Sequence, residues 1–348
     1  MTQPVKALQA RTKGDFSAFE QTIIQRRDLR QDDVAIEIKY CGICHSDVSM
    51  VQWQGAHFPM VPGHEISGIV TAVGSDVKDF KPGDRVGVGC FVNSCGKCAA
   101  CRAGREQFCE KGTVIVFDSE DDDGTITQGG YSQAIVVKDH FVLHIPDELS
   151  LADAAPLLCA GITTYNPMKQ YQIGAGSKVA VIGLGGLGHI DVQFAAKMGA
   201  DVTVLGHSES KREEAQQFGA TSYEILRDPA DFAPLAGQYD FILNTVAVDL
   251  NIGDYLPLLK FNGTLCYVGI PSDEIHFNLF SMFGNQANIT ASNVGGIALT
   301  QEMLDFAAKN HIKPQIEMIG IDDVADAYQN ILDSKVHYRY VIDMATLK

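Results

Sequence analysis

The sequence predicts an α/β protein with two domains, one a doubly wound parallel sheet and the other β-rich. Its 348 residues suffice for about two domains with separate cores. Up to about residue 145, short runs alternate apolar and other residues, as at Val34, Ile36, Ile38 and Tyr40, with Gly-rich turns between them. From about Leu151, helical and strand patterns alternate, which is typical of a parallel sheet covered by helices.

Periodicity predicts the individual elements. In the β-rich part the predicted strands are 66–73, 85–91 and 132–137. A helical stretch at 152–170 follows, and then strands at 178–182, 202–205, 241–243 and 265–268, with helices near 210–218 and 252–260. The last predicted elements are helices at 300–310 and 322–333 and a strand at 339–343. Because the parallel sheet is already complete before them, we expect one domain of residues 1–155 with 291–348, and a second of residues 156–290.

Composition excludes several classes of partner. The formal net charge is −16, which argues against nucleic acid and acidic membranes, since both attract basic surfaces. No apolar stretch approaches the ~20 residues of a membrane span, and the N-terminus lacks the apolar segment of a signal peptide. The nine cysteines cluster with metal-site spacing. We therefore expect reduced thiols and a cytoplasmic protein.

A glycine-rich turn predicts a dinucleotide site. The apolar run 179–182 enters Gly183-x-Gly185-x-x-Gly188, with Gly186 and Leu187 inside the turn, and a helical pattern follows. In such a fingerprint the first glycine makes the turn, the second admits a pyrophosphate and the third packs helix against strand. The alternative is a purely structural glycine turn.

The end of the next strand indicates which dinucleotide binds. NAD-binding sheets carry an acidic residue there for the ribose 2′-OH. Strand 201–205 is instead followed by Gly206, His207 and Ser208. The polar residues that we predict to contact a 2′-phosphate are His207, Ser208, Ser210, Lys211 and Arg212. Glu209 could serve NAD instead, and Lys211 and Arg212 could be the exposed start of a helix. We expect NADP(H) to be preferred over NAD(H).

Two groups of residues have the chemistry of zinc ligands. Cys95-x-x-Cys98-x-x-Cys101-x7-Cys109 can surround one tetrahedral Zn²⁺ as a closed structural site, with two disulfides as the alternative. The second group is scattered along the chain, at Cys44, His64 and Cys159. Taken singly, Cys44 could belong to a thioredoxin-like Cys41-x-x-Cys44 pair, His64 could be a turn histidine and Cys159 could be a core cysteine.

Several motifs resemble a known family. Gly63-His64-Glu65-x-x-Gly68-x5-Gly74-x-x-Val77 is similar to the zinc signature of medium-chain alcohol dehydrogenases. The motifs CGICHSD (41–47), PLLCAGITTY (156–165), GLGGLGH (183–189) and RYVIDM (339–344) resemble the cinnamyl-alcohol-dehydrogenase-like branch. The resemblance extends over essentially the full length. It implies a GroES-like β-rich catalytic domain and a Rossmann cofactor domain.

The resemblance also implies roles around a catalytic zinc. Cys44, His64 and Cys159 would bind this zinc, so that the chain would bind two zinc ions, one catalytic and one structural. Asp47 would accept the second ring N–H of His64 and fix its tautomer. Glu65 would lie near the zinc, or else be a buried ion-pair partner.

Further roles concern the proton path and the cofactor. Ser46 would hydrogen-bond the substrate oxygen and pass its proton towards the cofactor ribose. The family often carries a histidine at the surface end of this relay, where Ser49 stands in this chain. His45 would meet the pyrophosphate and Thr163 would lie near the nicotinamide. Relatives in this branch carry Ser or Thr at the positions of Gly206 and His207.

The same resemblance suggests which residues line the substrate cleft between the domains: Trp53, Phe91, Met282, Phe283 and Val294. Each of them is otherwise an ordinary core residue. An apolar, aromatic wall suits aromatic or aliphatic aldehydes and primary alcohols as small-molecule substrates. Enzymes of this kind commonly form homodimers or homotetramers.

Three functions are compatible with the sequence. The first is a zinc-dependent NADP(H) alcohol dehydrogenase that acts as an aldehyde reductase. The second is an NAD-linked polyol dehydrogenase or a zinc-free double-bond reductase. The third is a non-catalytic, redox-sensing NADPH-binding protein that uses Cys41 and Cys44 as a dithiol switch. We expect Cys41, Cys90 and Cys266 to be buried small hydrophobic residues.

Overall fold

A computed structural model describes residues 3–271 and 273–348. The chain forms two compact units. The first consists of the residues up to Ile162 together with Gly295–Lys348, and the second consists of Thr163–Val294. The predicted domain boundaries lie a few residues before these. The α/β class, with a β-rich unit and a parallel-sheet unit, is confirmed. No helix in the described ranges has both the length and the apolar character needed to span a membrane.

The strands of the described residues are β1 (Gln3–Ala10), β2 (Phe19–Arg26), β3 (Asp33–Ile43), β4 (Ile66–Val73), β5 (Arg85–Val88), β6 (Phe91–Asn93), β7 (Val114–Ile115), β8 (Ala134–Lys138), β9 (Leu143–His144), β10 (Lys178–Ile182), β11 (Asp201–Gly206), β12 (Ser222–Ile225), β13 (Tyr239–Asn244), β14 (Leu259–Tyr267), β15 (Asn288–Ala291), β16 (Ile316–Ile319) and β17 (Arg339–Asp343). The α-helices are α1 (His45–Gln52), α2 (Ala99–Arg102), α3 (Leu151–Pro156), α4 (Ile162–Gln170), α5 (Gly188–Lys197), α6 (Arg212–Phe218), α7 (Pro229–Phe232), α8 (Ile252–Tyr255), α9 (Ile297–Asn310) and α10 (Val324–Leu332).

The β-rich unit is built around β3. Its main sheet has the order β16-β17-β3-β4-β5-β9, and β8 also pairs with β3. The predicted strand 85–91 is two strands, β5 and β6, which are separated near Gly89. A Cβ atom at Gly89 would lie 3.0 Å from the carbonyl oxygen of Leu158, so the backbone passes close to the turn that carries Cys159.

The second unit has a parallel sheet of order β12-β11-β10-β13-β14-β15. One face covers a core that includes Ala180, Ile182, Ile242 and Leu265, all at most 3% exposed. The predicted strands of this sheet did not include β12 and β15, which form its two edges.

Two predicted helices differ from the structure. The helix expected at 252–260 ends at Tyr255, and β14 begins at Leu259. Pro257 lies between them and has no N–H with which to continue a helix. The stretch 152–170 is not one regular helix either, because α3 and α4 are joined by a π-helical turn at Leu157–Gly161. Such wide turns occur frequently at functional sites.

Candidate active site and metal centres

Three segments of the β-rich unit position the residues that were predicted as catalytic zinc ligands. Cys44 is the N-cap of α1, directly after β3. His64 lies two residues before β4, and a hydrogen bond of 2.9 Å from Gly42 N to Glu65 O holds this segment against the end of β3. Cys159 lies in the π-helical turn. Residues that are more than ninety positions apart in the chain therefore converge.

The ligand atoms have the spacing of a metal site. Cys44 Sγ lies 4.0 Å from Cys159 Sγ, and His64 Nε2 lies 3.3 Å from Cys159 Sγ. Together with a carboxylate oxygen of Glu65, these atoms all lie within 4.8 Å of one another. Tetrahedral Zn²⁺ with zinc–sulfur bonds of 2.3 Å separates two sulfur ligands by about 3.8 Å. Two thiols and an imidazole at these distances fit zinc.

Asp47 fixes the orientation of this site. Its Oδ1 accepts hydrogen bonds from His64 Nδ1 at 2.9 Å and Gly63 N at 3.0 Å, and its Oδ2 accepts one from Cys44 N at 2.9 Å. Because Nδ1 donates to Asp47, Nε2 is left to face the thiols. Burial opposes a charged ring, but the Asp47 carboxylate raises the pKa of His64 well above its ordinary value.

Glu65 pairs with a residue that the sequence analysis did not assign. Arg339 Nη2, at the start of β17, donates to Glu65 Oε1, and both side chains are buried. Glu65 Oε2 is buried and has no hydrogen-bond partner among the described residues. Burial raises the pKa of Glu65 to about 7, although the Arg339 charge opposes this shift. The RYVIDM motif contained the arginine, but only the pairing of β17 with β3 brings it to the site.

The remaining cysteines divide into two kinds. Cys41 and Cys266 are fully buried, as expected, and burial raises the pKa of Cys266 to about 12. Cys90 is only half-buried, and a hydrogen bond with Cys159 lowers its pKa. The interpretation of Cys90 as a core residue was therefore wrong. Cys41 and Cys44 are both free thiols.

The four-cysteine cluster forms a second centre. Cys95 Sγ lies 3.9 Å and Cys98 Sγ 3.4 Å from Cys101 Sγ, and all four sulfur atoms lie within 4.8 Å of one another. Backbone N–H groups point at the sulfurs, as from Cys98 N to Cys95 Sγ at 3.4 Å. The N–H of Cys101 is the main cause that lowers the pKa of Cys98 to about 6. All four cysteines are free, so this centre also fits a tetrahedral metal rather than two disulfides.

The glycine turn has the tight backbone packing that the fingerprint predicts. Gly183 has φ +86°, which favours glycine. A Cβ atom at Gly188 would lie 2.2 Å from the carbonyl oxygen of Gly183, so α5 packs directly on the turn. A Cβ atom at Gly185 would meet nothing within 4 Å, which leaves open space at the exposed middle of the turn. Gly186 and Leu187, which lie between Gly185 and Gly188 in the chain, are half-buried.

The polar loop after β11 is organised by β12. Tyr223 on β12 donates a hydrogen bond of 2.8 Å to Ser208 O, and its hydroxyl fills the space where a Cβ atom of Gly206 would lie. Arg212 stacks over the Tyr223 ring and pairs with Glu209. Ser208 Oγ and Ser210 Oγ are 2.8 Å apart. Glu209 is thus engaged by an arginine.

Other predicted site residues lie as follows. His45, Ser46 and Ser49 are exposed on α1, and Ser46 Oγ lies 3.7 Å from Cys44 Sγ. Thr163 is buried. Of the residues expected to line the cleft, two belong to the β-rich unit, where Trp53 is exposed and Phe91 is buried. The other three belong to the sheet unit, where Met282 and Val294 are half-buried and Phe283 is exposed. Their common role as a substrate wall stays a prediction.

Comparison with known proteins agrees with this arrangement. A family model described as an alcohol dehydrogenase GroES-like domain matches residues 30–147, and one described as a zinc-binding dehydrogenase matches residues 186–309. The chain is 55% identical over 331 residues to a probable formaldehyde dehydrogenase of Bacillus subtilis, with 94% of this chain and 95% of that protein covered. It is 52% identical over 330 residues to NADP-dependent alcohol dehydrogenase C 1 of Mycolicibacterium smegmatis, with the same coverage.

Solved structures of cinnamyl alcohol dehydrogenases are similar to this chain over essentially its whole length. A cinnamyl alcohol dehydrogenase from Sorghum bicolor has a TM-score of 0.93 at 38% identity, and 99% of each chain is covered. A CAD from Helicobacter pylori complexed with NADP(H) has a TM-score of 0.91 at 40% identity, and 100% of each chain is covered.

Proposed function

Since this chain belongs to the alcohol dehydrogenase family with GroES-like and zinc-binding dehydrogenase domains, we propose that it is a zinc-dependent, NADP(H)-preferring alcohol dehydrogenase. The reaction would be reversible hydride transfer between nicotinamide C4 and an aldehyde or primary alcohol. The observation that carries this proposal is the convergence of Cys44, His64 and Cys159 with the spacing of zinc ligands.

The residues of the chain have distinct tasks in this reaction. Cys44, His64 and Cys159 would hold a zinc ion, and that ion would supply a Lewis acid able to polarise a carbonyl or lower the pKa of an alcohol. Asp47 holds the ring of His64 so that Nε2 points to the thiols. Arg339 keeps Glu65 in the site with one oxygen available. Ser46, beside Cys44, would pass the substrate proton outward.

Two observations support NADP(H) over NAD(H). Glu209, the one acidic residue that could have served the ribose 2′-OH of NAD, is paired with Arg212. The M. smegmatis relative is named as NADP-dependent, and the H. pylori structure is a complex with NADP(H). The same pairing argues against an NAD-linked polyol dehydrogenase. The redox-sensing alternative loses support because Cys41 is buried in the core, where its pKa is raised.

The substrate class follows from the predicted apolar wall and from the relatives. Trp53, Phe91, Met282, Phe283 and Val294 would favour aromatic or aliphatic aldehydes over polyols. Two relatives carry the names probable formaldehyde dehydrogenase and probable cinnamyl alcohol dehydrogenase 3, which name an aldehyde and a primary alcohol. We place this reaction in the cytoplasm, where the thiols of both centres stay reduced.

We also propose a homodimer, which could assemble further into a tetramer, formed through the sheet unit. Strand β15 is at the edge of its sheet, and exposed strand edges readily pair with another chain. Several large apolar side chains of this unit are exposed: Phe261, Ile270, Leu279, Phe280 and Phe283. Monomeric proteins rarely leave such a group uncovered.

Metal analysis with an aldehyde panel tests the catalytic proposal. The purified protein should contain two zinc ions per chain and reduce aromatic and aliphatic aldehydes faster with NADPH than with NADH. Cys44→Ser should contain one zinc ion and lose activity by ~10³-fold or more, because the polarising metal contributes several kcal/mol. Cys98→Ser should also contain one zinc ion, but with a lower Tm, because a structural zinc contributes to folding.

Cys266→Ala is the matched control, since this buried cysteine lies in the sheet unit and belongs to neither centre. It should keep both zinc ions and its activity. Full zinc content together with undiminished aldehyde turnover in Cys44→Ser would refute the proposed site.

A further inference from the structure

Helix α9 does not cap its own N-terminus. Its N-cap residue is Gly296, which has no side chain, and its first turn contains no acidic residue. The first N–H groups of a helix need partners from outside the helix. For Ile297 a distant segment supplies the partner, because Ile297 N donates a hydrogen bond of 3.2 Å to Glu106 Oε2. The helix dipole also favours a carboxylate at this end.

Glu106 belongs to the segment of the four-cysteine centre. It lies shortly before Cys109, and Cys109 N donates a hydrogen bond of 3.0 Å to Glu106 O. The buried carboxylate of Glu106 also accepts, at Oε1, a hydrogen bond of 2.9 Å from His140 Nε2. The backbones meet as well, since a Cβ atom at Gly296 would lie 1.8 Å from Gly104 O. The segment of the four-cysteine centre therefore packs directly against the start of α9.

Helix α9 also contacts the turn that carries Cys159. Met303, inside α9, is fully buried. A Cβ atom at Gly161 would lie 3.0 Å from Met303 Sδ, so this side chain lies against the backbone of Gly161. Gly161 is the last residue of the π-helical turn that contains Cys159. All of these residues belong to the β-rich unit. One helix thus touches the supports of both proposed metal centres.

These contacts form a continuous path from Glu106 through α9 to Met303. Thr300 Oγ1 donates a hydrogen bond of 2.9 Å to Gly296 O and holds the first turn of the helix closed. Close-packed interiors transmit displacements because they contain few voids. Four thiolates repel one another without a cation, and a structural zinc contributes to folding. The position of Glu106 should therefore depend on the metal of the four-cysteine centre.

We propose that Glu106 is a positioning residue that couples the four-cysteine centre to the catalytic centre. While the four cysteines hold their metal, Glu106 caps α9, and α9 supports the turn that places Cys159. The inference rests on the two zinc ions of the proposed function. It assigns the four-cysteine centre a task in the reaction in addition to its contribution to stability.

Zinc release to an excess of the chromogenic chelator 4-(2-pyridylazo)resorcinol tests the proposal without turnover. The phase that is absent in Cys44→Ser identifies the catalytic zinc. Glu106→Gln offers one acceptor oxygen where the carboxylate accepts two hydrogen bonds. It should keep two zinc ions but release the catalytic one about tenfold faster. Cys98→Ser should release its remaining zinc about tenfold faster as well. Adding Glu106→Gln to Cys98→Ser should have no further effect, because the same contact is already lost.

Hydrogen exchange measured by mass spectrometry follows the path itself. A peptide that covers the first turn of α9 should exchange about tenfold faster in both Glu106→Gln and Cys98→Ser, because a helix cap is lost in each. A peptide from α5, in the other unit, should be unchanged.

Glu110→Gln is the matched control, because it is the same substitution at an exposed position beside Cys109. It should change neither zinc release nor exchange. Met303→Ala removes the contact at the far end of the path and should release the catalytic zinc faster, whereas Met303→Leu should restore most of the slow release.

Faster exchange in Glu106→Gln with unchanged release of the catalytic zinc would show that Glu106 only caps the helix, and would overturn the inference. Unchanged exchange, or unchanged release in Met303→Ala, would overturn it too. In each of these cases an unaltered chain with two zinc ions and aldehyde reductase activity leaves the proposed function standing. An unaltered chain that binds fewer than two zinc ions would refute both.

Discussion

Asp191 is a buried acid in the sheet unit that the proposed reaction does not use. It lies in α5, just after the glycine turn, with no exposed surface. Neither carboxylate oxygen has a hydrogen-bond partner among the described residues. Burial alone raises the pKa of Asp191 well above its ordinary value. An acid in such surroundings destabilises the folded chain most when it is ionised.

Replacement of Asp191 should therefore stabilise the protein in a pH-dependent way. The folded state holds the Asp191 proton more tightly than the unfolded state does. The free energy of unfolding thus falls as the pH rises from the ordinary aspartate pKa towards the raised one. We expect Asp191→Ala to raise Tm more at pH 9 than at pH 5, measured by thermal unfolding.

Asp249→Ala, at an exposed position of the same unit, is the control and should leave Tm nearly unchanged at both pH values. A stabilisation by Asp191→Ala that is larger at pH 5 than at pH 9 would contradict this account of Asp191.

Individual residues were predictable where a motif identified them and unpredictable where only the fold brings them together. The clustering of Cys44, His64 and Cys159 and the hydrogen bond from His64 to Asp47 could be inferred from residue chemistry and family resemblance. Arg339 could not be assigned, because its partner Glu65 is 274 positions away and meets it only through the pairing of β17 with β3.

At the scale of elements, β11 and β12 depend on each other through one glycine. A Cβ atom at Gly206 would lie 2.1 Å from the hydroxyl oxygen of Tyr223, and that hydroxyl also holds Ser208 O. Overpacking of a core typically costs about 1–3 kcal/mol. We expect Gly206→Ala to reduce the free energy of unfolding by about this amount in denaturant titrations.

Tyr223→Phe removes the nearest atom that an alanine side chain would meet, whereas ring carbon Cζ, 2.6 Å from the Cβ position, stays. The double variant should therefore lose less stability than the two single variants together. Strictly additive losses would show that the hydroxyl of Tyr223 is not the reason for glycine at this position.

Elements were predicted well where periodicity is strong and poorly where backbone geometry depends on contacts. Strands 66–73, 178–182 and 339–343 have the predicted bounds. The π-helical turn at Leu157–Gly161 has a helical pattern in sequence, so its extra width could not be inferred from periodicity. β15 was missed because Asn288–Ala291 is a short, half-exposed edge strand with little apolar character.

At the scale of the whole molecule, the exposed apolar side chains of the sheet unit predict an assembly. Phe261 and Phe280 are 76% and 79% exposed. If they lie in a dimer interface, a charge at either position would be buried without a partner on association. Phe261→Asp and Phe280→Asp should shift the protein from dimer to monomer in size-exclusion chromatography with light scattering.

Ile23→Asp is the comparison for this experiment, because Ile23 is 63% exposed on the other unit. It should leave the oligomeric state unchanged. A monomeric unaltered chain, or dimers that persist in both phenylalanine variants, would reject this surface as the interface.

The hydroxyl of Tyr223 has a practical consequence for changing the coenzyme of this enzyme. Grafting the loop of an NAD-dependent relative after β11 would introduce an acid. The grafted loop would still be held by Tyr223 on β12 and lie next to Arg227, which follows β12. A successful exchange should therefore replace 206–212 and 223–227 as one block. Redesign of the first segment alone would produce a protein that accepts neither nucleotide well.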